Sequence, residues 1–164
     1  PGTMRLEGPA NTYTGPTTVT GGTLELNKPG AAVAVPGDLT VNGAVVRELA
    51  NNQIADTAVV AVNAGGTLDL NGFLDAVKTL TVTGGTVSTR GGAAGRLTAG
   101  NTSFNAAATL KMTLAGPATS DRITVGPTGT LAVGDGTGGA VKVPVALQKD
   151  LTEPGFTAKL KRLA

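Results

Sequence analysis

The residues that could do chemistry are few. The chain of 164 residues has no histidine and no cysteine. That removes the commonest general base, the nucleophile–base triads and most zinc sites. What remains is 11 carboxylates and 13 lysines and arginines. A carboxylate pair can do acid–base work only where both groups reach one substrate atom. Asp69 and Asp75 are the closest approach to such a pair. Asp69 lies in Leu68-Asp69-Leu70, where alternation turns it outward, and Glu25 holds the same place two repeats earlier. Two repeats are ~10 Å apart at normal strand spacing, too far for a dyad. These carboxylates therefore read as solvated, outward groups.

Two glycine-rich stretches also fall short of a site. Gly134-Asp135-Gly136-Thr137-Gly138-Gly139 is similar to a calcium-binding nonapeptide, but that motif builds a site only in tandem and here it stands once. It reads as a flexible hairpin. Gly91-Gly92-Ala93-Ala94-Gly95 lacks the lysine and the strand-to-helix setting of a phosphate loop, and reads as a corner. The sequence therefore assigns no catalytic, cofactor-binding or metal-binding residue, and no cofactor.

The elements that carry these residues repeat. Val19-Thr20-Gly21-Gly22-Thr23-Leu24 recurs as Val41-Asn42-Gly43-Ala44-Val45-Val46, Val62-Asn63-Ala64-Gly65-Gly66-Thr67-Leu68 and Val82-Thr83-Gly84-Gly85-Thr86-Val87. Val125-Gly126-Pro127-Thr128-Gly129-Thr130-Leu131 closes the series. The steps are about 20 to 22 residues, except the last, which is about twice that. A degenerate copy is thus expected near Leu97 to Ala107. This period is one coil of a β-solenoid. Within each coil, apolar and polar residues alternate, as in Leu24-Glu25-Leu26, Leu39-Thr40-Val41, Leu80-Thr81-Val82 and Ile123-Thr124-Val125. Leucine and valine then face inward, and threonine, glutamate and aspartate outward. Glycine pairs mark the corners, where positive φ is needed.

The reading is an all-β parallel solenoid of about seven coils, a rod roughly 35 Å long at strand spacing. Val19, Val41, Val62 and Val82 should stack inside it. Thr20, Asn42, Asn63 and Thr83 should form a polar ladder at a corner. Val46 to Ala58 has some helical character, but the repeat requires a strand and loop there, with Leu49 and Ile54 inward. Val141 to Leu147 reads as a last strand, with Pro144 at an edge. Residues 1–147 form the solenoid domain. Residues 148–164 are more charged and less repetitive, and read as a cap or a segment that docks on a neighbour.

Composition narrows the function. Aromatics are 2% and glycine contributes 25 residues, unlike a globular enzyme. The net charge is only +2, and Tyr13, Phe73, Phe104 and Phe156 are isolated from one another. Nucleic-acid binding needs a concentrated basic surface, usually with stacking aromatics, so none is expected. No stretch approaches the ~20 apolar residues of a membrane helix, so no membrane insertion is expected. Absence of cysteine leans weakly toward an exported protein. No signal peptide is visible, so export implies processing or a longer parent chain.

Leu6-Glu7-Gly8-Pro9-Ala10-Asn11-Thr12-Tyr13-Thr14-Gly15-Pro16-Thr17-Thr18-Val19-Thr20-Gly21-Gly22-Thr23-Leu24 resembles the autotransporter-associated β-strand repeat. Asn11, Thr12, Tyr13, Thr14, Gly15, Val19, Gly22, Thr23 and Leu24 match in place, and later coils keep only the part from the valine to the Thr-Leu. The resemblance implies a right-handed β-helix in a bacterial cell-surface or extracellular protein, with roles in adhesion, display and scaffolding and no catalytic residues in the repeat. The chain departs from the family in two ways: it has no C-terminal outer-membrane barrel, and its tail after Leu147 matches nothing in the pattern. Tyr13 reads as a staple that works with Asn11 at a corner. The expected function is a structural module that associates end to end, giving filaments. An adhesive or glycan-binding passenger is the alternative. An enzyme acting on polysaccharides is disfavoured by the missing histidine and acid cluster.

Overall fold

The computed structural model describes residues 1–91, 94–112, 122–125 and 131–133, the last three by backbone alone. Its strands follow directly from local alternation. In Thr23–Leu26 the two leucines are buried while Thr23 and Glu25 remain partly exposed. Leu39–Val41 repeats the pattern with Leu39 and Val41 buried around Thr40. A strand this short buries one row of side chains and cannot stand alone, so coils must stack.

Two parallel sheets result. One holds β1 (Thr3–Leu6), β3 (Thr23–Leu26), β5 (Val45–Glu48), β7 (Thr67–Asp69), β9 (Thr86–Ser88) and β11 (Thr109–Lys111), in that spatial order. The other runs from β2 (Thr17–Val19) through β4 (Leu39–Val41), β6 (Val59–Val62), β8 (Leu74–Val82) and β10 (Arg96–Phe104) to β12 (Arg122–Val125). A last strand, β13 (Leu131–Val133), also pairs β10. Every strand pairing among the described residues is parallel, and no described residue is helical. Strands of one sheet thus come from alternate positions in the chain, which is the signature of a coil that passes each face once per turn.

β8 and β10 are long because each crosses two faces. Their first halves pair Leu74–Val77 with Arg96–Ala99, and their second halves pair Thr79–Val82 with Asn101–Phe104. The chain bends between them at Lys78 and Gly100. A Cβ on Gly100 would lie 2.6 Å from the Lys78 carbonyl oxygen, so only glycine fits there. β12 then sits on the first half of β10 and β13 on the second.

Like residues stack on like. Val19, Val41, Val62, Val82 and Phe104 are in register across the second sheet. Leu24, Val46, Leu68, Val87 and Leu110 do the same across the first. Leu26, Leu39, Leu68, Leu70, Leu80 and Leu97 are fully buried. Each such side chain is worth roughly 1.5–3 kcal/mol relative to exposure, so apolar stacking dominates stability. The corner ladder forms too: Asn63 Nδ2 donates to Asn42 Oδ1 at 2.7 Å, and Asn105 Nδ2 to Thr83 Oγ1 at 3.1 Å. At the same corner Gly84 has φ of +67°, and a Cβ on Gly85 would lie 2.7 Å from both the Val62 and Asn63 carbonyl oxygens.

Three expectations need correction. About five turns are described, the five steps from β1 to β11, rather than seven. The larger number counted residues 126–147, which lie outside the described residues apart from 131–133. Val125 also does not end the valine stack. It pairs with Ala99 on the first half of β10, and Val133 takes the place against Phe104. The cause is the bend at Gly100, which makes one coil contribute two strands to this side. Finally, Asp75 is 4% exposed and lies in the interior, not among the solvated carboxylates. The segment Val46 to Ala58 is strand and loop, with Ile54 fully buried and Leu49 half-buried. The degenerate copy is β10 and the corner after it. The strand expected at Val141 to Leu147, the hairpin at Gly134 to Gly139 and the tail 148–164 lie outside the described residues.

Candidate functional site

Asp69 behaves as its outward position requires. Its Oδ2 accepts from Arg47 Nε at 2.9 Å on the surface of the first sheet. Arg5 Nε donates likewise to Glu25 Oε2 at 2.7 Å. Register places Arg5, Glu25, Arg47 and Asp69 in one column, with signs alternating from coil to coil. Asp69 and Glu25 are two coils apart with Arg47 between them, and form no dyad.

Asp75 is brought to a different partner. The carboxyl of Glu48, at the end of β5, is wholly buried and faces it. Neither Glu48 oxygen meets an N–H or hydroxyl donor. Asp75, in contrast, is well supplied: its Oδ2 accepts from Gln53 N at 2.9 Å and Ile54 N at 3.0 Å, and its Oδ1 from Ala76 N at 2.7 Å. Two buried carboxylates cannot both be ionised at contact. Burial, then the Asp75 charge, the hydrogen bond to Asp75 and the Asp69 charge hold Glu48 well above the usual carboxylate range. Burial also raises Asp75, against the opposing hydrogen bonds from Glu48, Ile54, Ala76 and Gln53. Of the two carboxyls, Glu48 is the one whose surroundings favour the neutral form, being wholly buried and without a donor.

This pair ends a buried polar line along one corner. Gln53 is fully buried; its Oε1 accepts from Lys28 N at 2.8 Å and its Nε2 donates to Lys28 O at 3.1 Å and Asn51 O at 2.9 Å. Lys28 is buried as well, and its Nζ donates to the Glu7 and Pro9 carbonyl oxygens at 2.9 and 2.7 Å. The first four coils are thus joined inside by Lys28, Gln53, Asp75 and Glu48. Both carboxyls of the pair are closed off from solvent. Among the described residues, no group of three or more His, Cys, Asp or Glu is placed to hold a metal ion.

Sequence reading missed Glu48, Gln53 and Lys28. The signal for Glu48 was present: aligning Val45-Val46-Arg47-Glu48 beneath Thr23-Leu24-Glu25-Leu26 puts a glutamate in a leucine position.

The other feature with functional potential is the open end of the first coil. β1 and β2 are the outer strands of their sheets. Met4 belongs to the inward column above Leu24, yet it is 65% exposed. Met4, Leu6, Tyr13, Val19 and Leu24 line a hollow of about 560 Å³ at this end. Tyr13 and Asn11 hold its rim. Asn11 Nδ2 donates to Ala34 O at 2.7 Å; Tyr13 Oη lies 2.6 Å from Thr17 Oγ1 and donates to Ala34 O at 3.3 Å. Both tie the first coil to the second, as a corner staple does. Gly91 and Gly95 stand at a coil corner, with residues 92–93 between them not described.

Fold and site together define a parallel β-solenoid with β1 and β2 as the outer strands of its two sheets. Residues 1–26, which form the first coil and the strand beneath it, match the family of the passenger-associated-transport-repeat. This agrees with the resemblance carried by Asn11 to Leu24. No curated protein and no solved structure matches the chain.

Proposed function

We propose that the chain is a structural, non-enzymatic module of a cell-surface or extracellular passenger protein, and that it associates end to end through its first coil. The observation that carries this reading is the apolar column that runs through the stack to Met4, 65% exposed on β1, with β1 and β2 the outer strands of their sheets. Such an edge is a template for another strand. A head-to-tail contact of this kind does not close, so it builds filaments.

Charge suggests what docks there. β5 presents Arg47 as β1 presents Arg5, and the coil covering β5 on that side carries Glu25. A segment with an acidic residue over Arg5 would continue the alternation. Lys111, the last described residue of this column, has the wrong sign for direct seating. The tail 148–164 contains Asp150 and Glu153 and is our assigned docking segment. Deleting residues 150–164, or changing Met4→Asp, is expected to abolish association in sedimentation velocity while leaving the β-sheet circular dichroism intact. Association that survives both changes contradicts the reading.

A glycan-contacting face is the second reading. Thr18, Thr40, Ala61, Thr81 and Ser103 are in register on the outer side of the second sheet, a row of mostly hydroxyl groups. Binding of the monomer on a glycan array supports it.

A further inference from the structure

Glu48 stands where the stacking rule calls for leucine. Leu26 lies beside it in register on β3, and the 22-residue offset that joins Arg47 to Asp69 sets Leu70 on its other side. Both leucines are fully buried. A hydrocarbon there would complete the column; a carboxyl instead places two unsatisfied oxygens in the core. That substitution costs stability unless the group is neutral and bonded.

The groups around Glu48 settle which state the fold accepts. From β8, Asp75 faces it; from β7, Asp69 adds negative charge through its backside. β3 offers only Leu26. On its own strand, Arg47 points outward and is bonded to Asp69. Lys28, the buried basic side chain on this corner, is turned to the carbonyls of Glu7 and Pro9. None of the groups acting on Glu48 favours its charge.

We propose that the buried carboxyls of Glu48 and Asp75 form a proton-operated latch between the third and fourth coils, closed while Glu48 is neutral and loosened when it ionises. The latch joins coils that also meet through strand pairing and the surface ion pair of Arg47 with Asp69. Asp75 caps the amides of Gln53 and Ile54 in the third coil from its place in the fourth. Losing the proton puts two negative charges near each other in the core, and their repulsion draws the Asp75 carboxylate off the amides it caps. The event is local to one corner, while the sheets can remain paired. This inference stands apart from the reading of the chain as a surface module.

The sign of the effect follows from linkage. The folded state holds the proton more tightly than the unfolded chain, where Glu48 returns to an ordinary value of 4.5. Stability contributed by the pair is therefore fully present below about that pH and declines as pH rises. Most carboxylates that matter in folded proteins act in the opposite sense.

The test is thermal unfolding of the full chain by circular dichroism between pH 4.5 and 9, for the parent, Glu48→Gln and Glu48→Leu. In the parent, the midpoint should fall with rising pH by roughly 3–5 °C per unit until the pair is ionised. Both variants should flatten that slope, and Glu48→Leu should also unfold at a higher temperature, because leucine completes the column. If Glu48→Gln does not fold, Glu48→Leu carries the comparison. Amide exchange of Gln53 and Ile54 should rise with pH faster in the parent than in Glu48→Leu. Parallel midpoint profiles in parent and Glu48→Leu would overturn the latch.

Discussion

Arg47 and Glu48 are neighbours on β5 with opposite environments. Arg47 reaches over the surface to Asp69, whereas Glu48 is sealed inside. The consequences of losing each side chain should differ accordingly. Arg47→Ala removes an ion pair whose arginine is 44% exposed, and is expected to cost less than about 1 kcal/mol in denaturant unfolding. Leu68→Ala, one coil away in a fully buried column, is expected to cost about 2–5 kcal/mol in the same measurement. At this scale the sequence was legible wherever alternation held its phase. Leu24, Leu26, Leu39, Val41, Leu68 and Leu80 are all inward as their pattern says. Asp75 was not legible because the loop before it resets the phase. In Leu74-Asp75-Ala76-Val77 the exposed residue is Leu74, and Val77 fixes which side faces the core.

The elements obey register more strictly than sequence spacing suggests. Parallel pairing in a solenoid is set by the corners, and the corners accept variable loops. That is why the repeat from Val19 to Val87 was readable, while the last repeat was assigned to Val125. The bend in β10 at Gly100 adds a strand that no spacing rule anticipates. Element position also governs local stability. Coils in the middle are covered on both sides, and the first coil on one side only. Opening should therefore start at β1 and β2, where Tyr13 holds the rim. Tyr13→Phe removes the hydroxyl contacts to Thr17 and Ala34. It is expected to cost about 0.5–1.5 kcal/mol and to speed amide exchange in β1 and β2, with little change in β5 to β8. Uniform acceleration across all coils would show that the staple is not local.

The described residues form a short rod whose five steps span ~24 Å at strand spacing. Its stability is a sum of neighbour contacts, so each uncovered end is a deficit that a further coil can relieve. The fold class was plain in the sequence because the repeat states it many times. The exposure of Met4 was visible only in structure, since its place in the alternation is that of any inward residue. An apolar column that reaches the exposed Met4, beside surface charge that alternates from coil to coil, is suited to stacking.

The most direct measurement is negative-stain electron microscopy of the purified chain across a concentration series. Regular filaments of constant width, lengthening with concentration and lost in Met4→Asp, are the expected result. Isolated short rods at every concentration would contradict end-to-end association and leave the outer threonine row as the face to examine.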